Sequence, residues 1–332
     1  MTSLERLNAR LAGKPVDKIP NMNIFMHITA REASVSYSGY VQDYRKLVEG
    51  NLICAEKYGL DSVCAISDPV RETAAFGAKI IFPENAVPYA EPLITDEFDL
   101  SVLHRFDPLE SLRTLDRVKA CELLRQKAGS DYPVIGWVEG CLAEAADLRG
   151  IGDFLVDLAG EESYLGDLFE IIFERQKLFA KAQIDAGADF IGVGNAVASL
   201  IGPALYQKYG LEYDKAIVGY IHSLGAGAKL HICGDITCLL EMLKQVQPDI
   251  LDIDWKTDFA RAARLFNGTS TAVSGNINPA GAMLLGNADQ VRAEVRCCIE
   301  QGTETTLIAG GCEISVNTPD ENILAMDGML YL

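Results

Sequence analysis

The sequence predicts a (β/α)₈ TIM barrel with an N-terminal helical extension and an inserted hairpin, spanning residues 1–332 as a single domain. Three observations carry this reading. Eight short apolar runs alternate with segments of helical spacing, the pattern of a parallel sheet wrapped by helices. The intervals between them leave no room for long structureless linkers. Finally, His27, Asp68, Glu139, Asn195, Cys233, Asp254, Asn276 and Cys312 all fall at the C-terminal ends of the expected strands, where barrels place their chemistry. A doubly wound open sheet is the competing architecture, and the third observation weighs against it.

In chain order, residues Ser3 to Ala12 have the spacing of a short amphipathic helix, and Pro15 and Pro20 separate it from a first strand over Met22–His27. A helix over Tyr44–Tyr58 leads through Gly59 into a strand over Ser62–Ser67, closed by Asp68-Pro69. The β-like runs 78–82 and 86–89 around Pro83-Glu84-Asn85 predict the inserted hairpin. A helix over Leu109–Ala128 precedes the third strand, Pro133–Val138, which ends in Glu139-Gly140-Cys141. Helices from about Leu142 to Ala186 precede the fourth, Gly187–Val193, ending in Gly194-Asn195. Helical stretches over Gly202–Tyr209 and Tyr213–Leu224 lead to the fifth, Ala228–Cys233. The strands Ile250–Trp255, Thr271–Asn276 and Thr305–Ala309 then alternate with helices over Cys238–Val246, Phe259–Phe266 and Gln290–Gln301.

Composition bounds the function. With 49% hydrophobic and 23% charged residues the chain is globular. A formal charge of −18 without any basic block argues against nucleic acid and against an anionic membrane surface as partners. No apolar run approaches the roughly 18 residues of a membrane span, and Met1–Arg6 lacks a signal-peptide core, so a cytoplasmic protein is expected. Nine scattered cysteines, several inside apolar patterns, fit reduced thiols.

The chemistry concentrates at Lys229-Leu230-His231-Ile232-Cys233-Gly234-Asp235. Residues i and i+2 of a strand share a face, so His231 and Cys233 can offer an imidazole and a thiolate to one ion. The best third ligand is Cys312, which ends the run Leu307-Ile308-Ala309-Gly310-Gly311. A His/Cys/Cys set suits Zn²⁺ with one open position. Two thiolates make such an ion a poor activator of water and a good host for an incoming thiolate, which favours sulfur chemistry over hydrolysis. Glu139 and Asp254 are the candidate catalytic acids, able to orient a ligand or act as general acid or base, with helix capping as their plain alternative. His27, Asn195 and Asn276, at strand ends, are candidate substrate-binding residues.

At these residues the chain resembles the uroporphyrinogen decarboxylase superfamily, and within it the zinc-dependent, cobalamin-linked methyltransferases. The motifs that carry the resemblance are Gly187-Ala188-Asp189, His231-Ile232-Cys233-Gly234, Gly275-Asn276-Ile277-Asn278-Pro279, and Gly311-Cys312 followed by Thr318-Pro319-Asp320-Glu321-Asn322. The resemblance implies zinc on His231, Cys233 and Cys312, and a methyl group exchanged with a corrinoid (cobalamin) carried by a partner protein. The decarboxylase branch holds its substrate carboxylates with an arginine-rich segment after the first strand; here that segment reads Phe25-Met26-His27-Ile28-Thr29-Ala30-Arg31-Glu32, with one arginine. The expected function is therefore methyl transfer between a corrinoid protein and a small-molecule acceptor or donor, a thiol or folate acceptor foremost. A metal-free decarboxylase and a non-catalytic corrinoid-binding barrel are the alternatives.

Overall fold

The computed structural model describes residues 1–332. Seven parallel strands form one curled sheet: β1 (Val63–Cys64), β4 (Val134–Glu139), β5 (Phe190–Gly194), β6 (Gly227–Ile232), β7 (Ile250–Ile253), β8 (Ala272–Ile277) and β9 (Leu307–Gly310), each beside the next. The hairpin pairs β2 (Ile80–Ile81) with β3 (Tyr89–Ala90), Ile80 opposite Ala90, close to the predicted runs. Every residue of β4, β5, β7 and β9 is buried, because helices cover one face and the barrel interior the other. That double burial is why these strands read as continuous apolar runs.

The eighth position differs from expectation. Met22–His27 is not a regular strand. The extended segment around Asn21 makes a single parallel bridge to Ile308 of β9, and on its other side Asn21 O accepts from Asp61 N at 2.9 Å, which closes the ring between β9 and β1. A side-chain amide stands in for one ladder bond: Asn23 Oδ1 accepts from Gly310 N at 2.7 Å, while Asn23 Nδ2 donates to Asn21 Oδ1 at 2.8 Å and so is held in place. Consequently His27 does not end a strand. It begins helix α2 (His27–Glu32), which follows the N-terminal α1 (Ser3–Leu11). Helices α3 (Tyr37–Gln42) and α4 (Tyr44–Tyr58) come next, and β1 stops at Cys64 rather than Ser67 because helix side chains take its later carbonyls. Tyr40 donates to Ile66 O at 2.8 Å, and Tyr37 donates to Ser67 O.

After β1 comes α5 (Arg71–Phe76), which was not foreseen, and after the hairpin α6 (Leu112–Ala128), three residues shorter at its start than predicted. The predicted helical stretch 142–186 resolves into α7 (Cys141–Arg149), α8 (Ile151–Gly160) and α9 (Leu165–Asp185). After β5 come α10 (Ala198–Tyr209) and α11 (Leu211–Ser223). The helix expected over Cys238–Val246 shrinks to α12 (Leu240–Leu243). Helices α13 (Phe259–Phe266), α14 (Ala288–Gln301) and α15 (Asp320–Gly328), with a π-helical turn at Pro279–Leu285, complete the outer layer. No helix is long and apolar enough to cross a membrane.

The barrel interior is filled in layers. At the strand starts Ile135, Phe190, Ile250, Ala272 and Leu307 pack with Met22 and with Leu7 of α1, so the N-terminal helix plugs that end. Nearer the C-terminal end, Ile24, Ile66 and Trp137 form an apolar layer beneath the strand-end loops. Burial of this kind contributes roughly 25 cal/mol per Å² of apolar surface and makes the strand ends a stiff frame for polar side chains.

Candidate metal centre

Parallel pairing sets one row of residues around the barrel: Glu139 lies opposite Gly194, Gly194 opposite His231, His231 opposite Asp252, and Asp252 opposite Ser274. Cys233 stands two residues beyond His231, just past the end of β6. Cys312 arrives from the other side of the ring. A side chain at Gly311 would put Cβ 2.1 Å from Trp255 N, so glycine there lets the loop after β9 press against the loop after β7 and carry Cys312 inward.

The three side chains converge. His231 Nε2 lies 3.1 Å from Cys233 Sγ, Cys233 Sγ lies 3.5 Å from Cys312 Sγ, and Cys312 Sγ lies 3.9 Å from His231 Nε2. Zinc bonds of about 2.0–2.3 Å in a tetrahedron separate their ligands by about 3.4–3.8 Å. The cluster therefore matches the set that zinc takes, with soft donors and room for a fourth ligand. On the far side of the imidazole, His231 Nδ1 lies 2.9 Å from Asp252 Oδ2, and Lys229 Nζ lies 3.2 Å from the same oxygen. A carboxylate there fixes the ring so that Nε2 faces the thiols.

The electrostatics favour ligation. A hydrogen bond from Cys312 and the neighbouring His231 hold the Cys233 thiol down at about 4, against burial. The same sharing pushes the Cys312 thiol up, with burial adding to it. Burial works against charge on His231, but the Cys233 thiolate and Asp252 overcome it and raise the imidazole well above its usual range. Cys233 is thus favoured as thiolate, and a divalent cation would displace the protons held by Cys312 and by His231.

These residues open onto a cavity of about 170 Å³ whose wall includes Ile24, Met26, Ile66, Trp137, Asp68, Glu139, Asn195 and Glu313. Glu139 ends β4, and its Oε1 accepts from Arg71 Nη2 at 2.9 Å. Burial pushes its carboxyl up to about 8; Arg71 opposes the shift and Glu72 adds to it. Asp68 Oδ1 and Oδ2 accept from Arg113 Nη2 at 2.7 and 2.6 Å. Trp137 holds its place because Gly192 on the adjoining strand has no Cβ; one would fall 2.1 Å from the indole.

The other candidates are placed variously. Asn195 lines the cavity, with Nδ2 donating to both oxygens of Asp214 at 2.9 and 3.0 Å and with Oδ1 lacking a protein partner. His27 sits outside the lining, its Nδ1 2.9 Å from Glu313 Oε1 and its ring stacked on Tyr37 at 3.6 Å. Asp254 is also outside: its Oδ1 accepts from Lys256 N at 2.9 Å, a turn contact rather than the helix cap given as its plain alternative, the cap of α13 being Asp258. Asn276 turns away and braces the loop after β7, donating to Thr257 O at 2.9 Å. Sequence reasoning missed Asp252, Arg71, Arg113 and Glu313. The acid at 252 was legible as a polar residue two before Asp254 in an apolar strand, whereas the arginines sit on helices and carry no local mark.

Comparison with known proteins places the chain in a family. The chain is 26% identical over 333 residues to methylcobamide:CoM methyltransferase MtaA of Methanosarcina barkeri, covering 97% of this chain and 95% of that one. It is 26% identical over 276 residues to uroporphyrinogen decarboxylase of Trichodesmium erythraeum, covering 79% and 75%. A solved methyltransferase from Methanosarcina mazei superposes with a TM-score of 0.88 at 24% identity, over 99% of this chain and 98% of that one, and so shares the barrel fold. Residues 2–328 match the family described as uroporphyrinogen decarboxylase (URO-D), and the chain belongs to that family.

Proposed function

We propose that the protein, a single barrel domain over residues 1–332, is a zinc-dependent methyltransferase. It moves a methyl group between a corrinoid carried by a partner protein and a small thiol. The observation that carries this reading is the convergence of His231, Cys233 and Cys312 within 3.9 Å on the wall of the cavity. The name of the Methanosarcina barkeri relative, a methylcobamide:CoM methyltransferase, supports the class.

Bound zinc would keep a thiol sulfur deprotonated and nucleophilic near neutral pH. His231, Cys233 and Cys312 would hold it, and Asp252 would fix the imidazole. Trp137, Ile24 and Ile66 give the cavity an apolar wall that would limit water beside the sulfur. Glu139, kept able to carry a proton by its burial, would hydrogen-bond the small molecule beside the sulfur. A methylated corrinoid would supply the methyl group, the sulfur–carbon bond forming as the cobalt–carbon bond broke with the electron pair left on cobalt, while the thiol proton would leave on binding. The reverse direction is the same displacement read backwards.

The decarboxylase reading has less support, because the cavity wall carries neither lysine nor arginine and a polycarboxylate needs guanidinium forks. The deciding experiment mixes zinc-loaded protein with methylcobalamin and a small thiol without oxygen. The expected result is loss of the methylcobalamin spectrum with one thioether formed per cobalt reduced. Zinc-loaded protein that transfers no methyl to or from any small thiol would overturn the proposal.

A further inference from the structure

The polar lining of the cavity, apart from the three metal-site residues, consists of Asp68, Glu139, Asn195 and Glu313. Arg71 and Arg113 stand behind this wall, committed to Glu139 and Asp68, and neither reaches the lining. Glu313 has no lysine or arginine partner; its Oε1 accepts from His27 N at 2.8 Å and lies beside the His27 ring. Asn195 is 1% exposed, and with Nδ2 spent on Asp214 it is left with the acceptor Oδ1, which has no partner in the protein. A buried acceptor without a protein partner, on a residue of the cavity wall, would be satisfied by a donor on a bound molecule.

Size narrows the choice further. A cavity of about 170 Å³ lies below the roughly 300–1,000 Å³ that encloses drug-sized ligands, so a folate would not fit within it. A short thiol would. A sulfonate or carboxylate tail on that thiol would face Glu313 with no guanidinium or ammonium on the wall to receive it, and unpaired charge at such a site is strongly disfavoured. An ammonium group would meet the Glu313 carboxylate on the wall that also carries Asn195.

Resting on the methyltransferase reading above, we propose that the small molecule meeting the metal site is a short aliphatic thiol bearing an ammonium group and no anionic tail. Its sulfur lies toward Cys233 and Cys312, and its ammonium lies toward Glu313 and Asn195. The relative named for CoM and this chain would then share the metal set and differ in the charge their substrates carry.

Calorimetric titration of the zinc-loaded full chain with 2-aminoethanethiol, 2-hydroxyethanethiol and 2-mercaptoethanesulfonate tests this, each constant being corrected for ionisation of the free thiol. The aminothiol is expected to bind at least tenfold more tightly than the sulfonate, about 1.4 kcal/mol, with the neutral thiol between them. Glu313→Gln should shrink that gap at least threefold while zinc content stays at the parent level. Sulfonate binding equal to or tighter than aminothiol binding overturns the proposal and leaves methyl transfer intact. Failure of all three thiols to bind protein that holds zinc overturns the thiol reading, and this proposal with it. Should Glu313→Gln not fold, the order of the three thiols on the parent protein decides the matter alone.

Discussion

His231 and Asp252 are direct register partners on adjacent parallel strands, and Asp252 Oδ2 sits 2.9 Å from His231 Nδ1. Pairing alone thus delivers a carboxylate to the imidazole nitrogen that faces away from the thiols. Asp252→Asn should keep the fold and weaken zinc binding by roughly 10–100-fold. Competition with a chelator on folded variant and parent measures the ratio. Equal affinities would mean that Asp252 does no more than pair with Lys229.

Protein purified without added metal is expected to hold about one zinc per chain, as one three-ligand site implies. Cys233→Ala and Cys312→Ala should each reduce that content to a small fraction. Elemental analysis alongside circular dichroism separates lost metal from lost fold, and variants retaining parental zinc would place the site elsewhere.

Glu139→Gln should slow methyl transfer more than it lowers zinc content, since Glu139 lines the cavity without belonging to the His231, Cys233 and Cys312 cluster. The contribution of one positioned acid or base is typically about 10²–10⁴-fold. Parallel rate and metal measurements decide it; a proportional fall in both would make Glu139 a ligand.

The same carboxyl imposes a pH dependence on stability. Its value in the folded protein, about 8, lies above the ordinary 4.5, so the unfolded chain gives up the proton first as pH rises. Stability from this group is complete below about 4.5 and is lost as pH rises through about 8. Burial also raises Glu72, Glu144 and Asp147, and Arg71 opposes the shift on all but Glu144, so the trend is shared. Melting temperatures between pH 5 and 8.5 should fall for the parent and fall less steeply for Glu139→Gln. Parallel slopes would remove Glu139 from the account.

Gly192→Ala places a methyl 2.1 Å from Trp137 Cε3, where the buried indole cannot retreat without moving the cavity wall. Overpacking of this kind costs about 1–3 kcal/mol. Denaturant melts would show the loss, and Trp137 fluorescence should shift with it. An unchanged midpoint would mean that the wall yields freely.

Sequence alone determined the barrel, five of its eight strand positions to within two residues, and the grouping of His231, Cys233 and Cys312. Those features follow from local rules. Strands buried on both faces read as apolar runs, His231 and Cys233 share a face by spacing, and the glycines before Cys312 mark a close approach. Tertiary structure decided the rest. Whether Met22–His27 ladders as a strand was decided across the seam, where the Asn23 amide takes the place of a backbone partner for Gly310 and His27 opens a helix. Whether a strand-end acid meets the cavity depended on side-chain direction beyond the last ladder bond, which separates Glu139 from Asp254 and Asn195 from Asn276. Asp252 became a partner of His231 through strand register. Arg71 and Arg113 set the charge of the wall from helices distant in sequence. Such pairings are made by closure of the whole ring, and no window of neighbouring residues contains them.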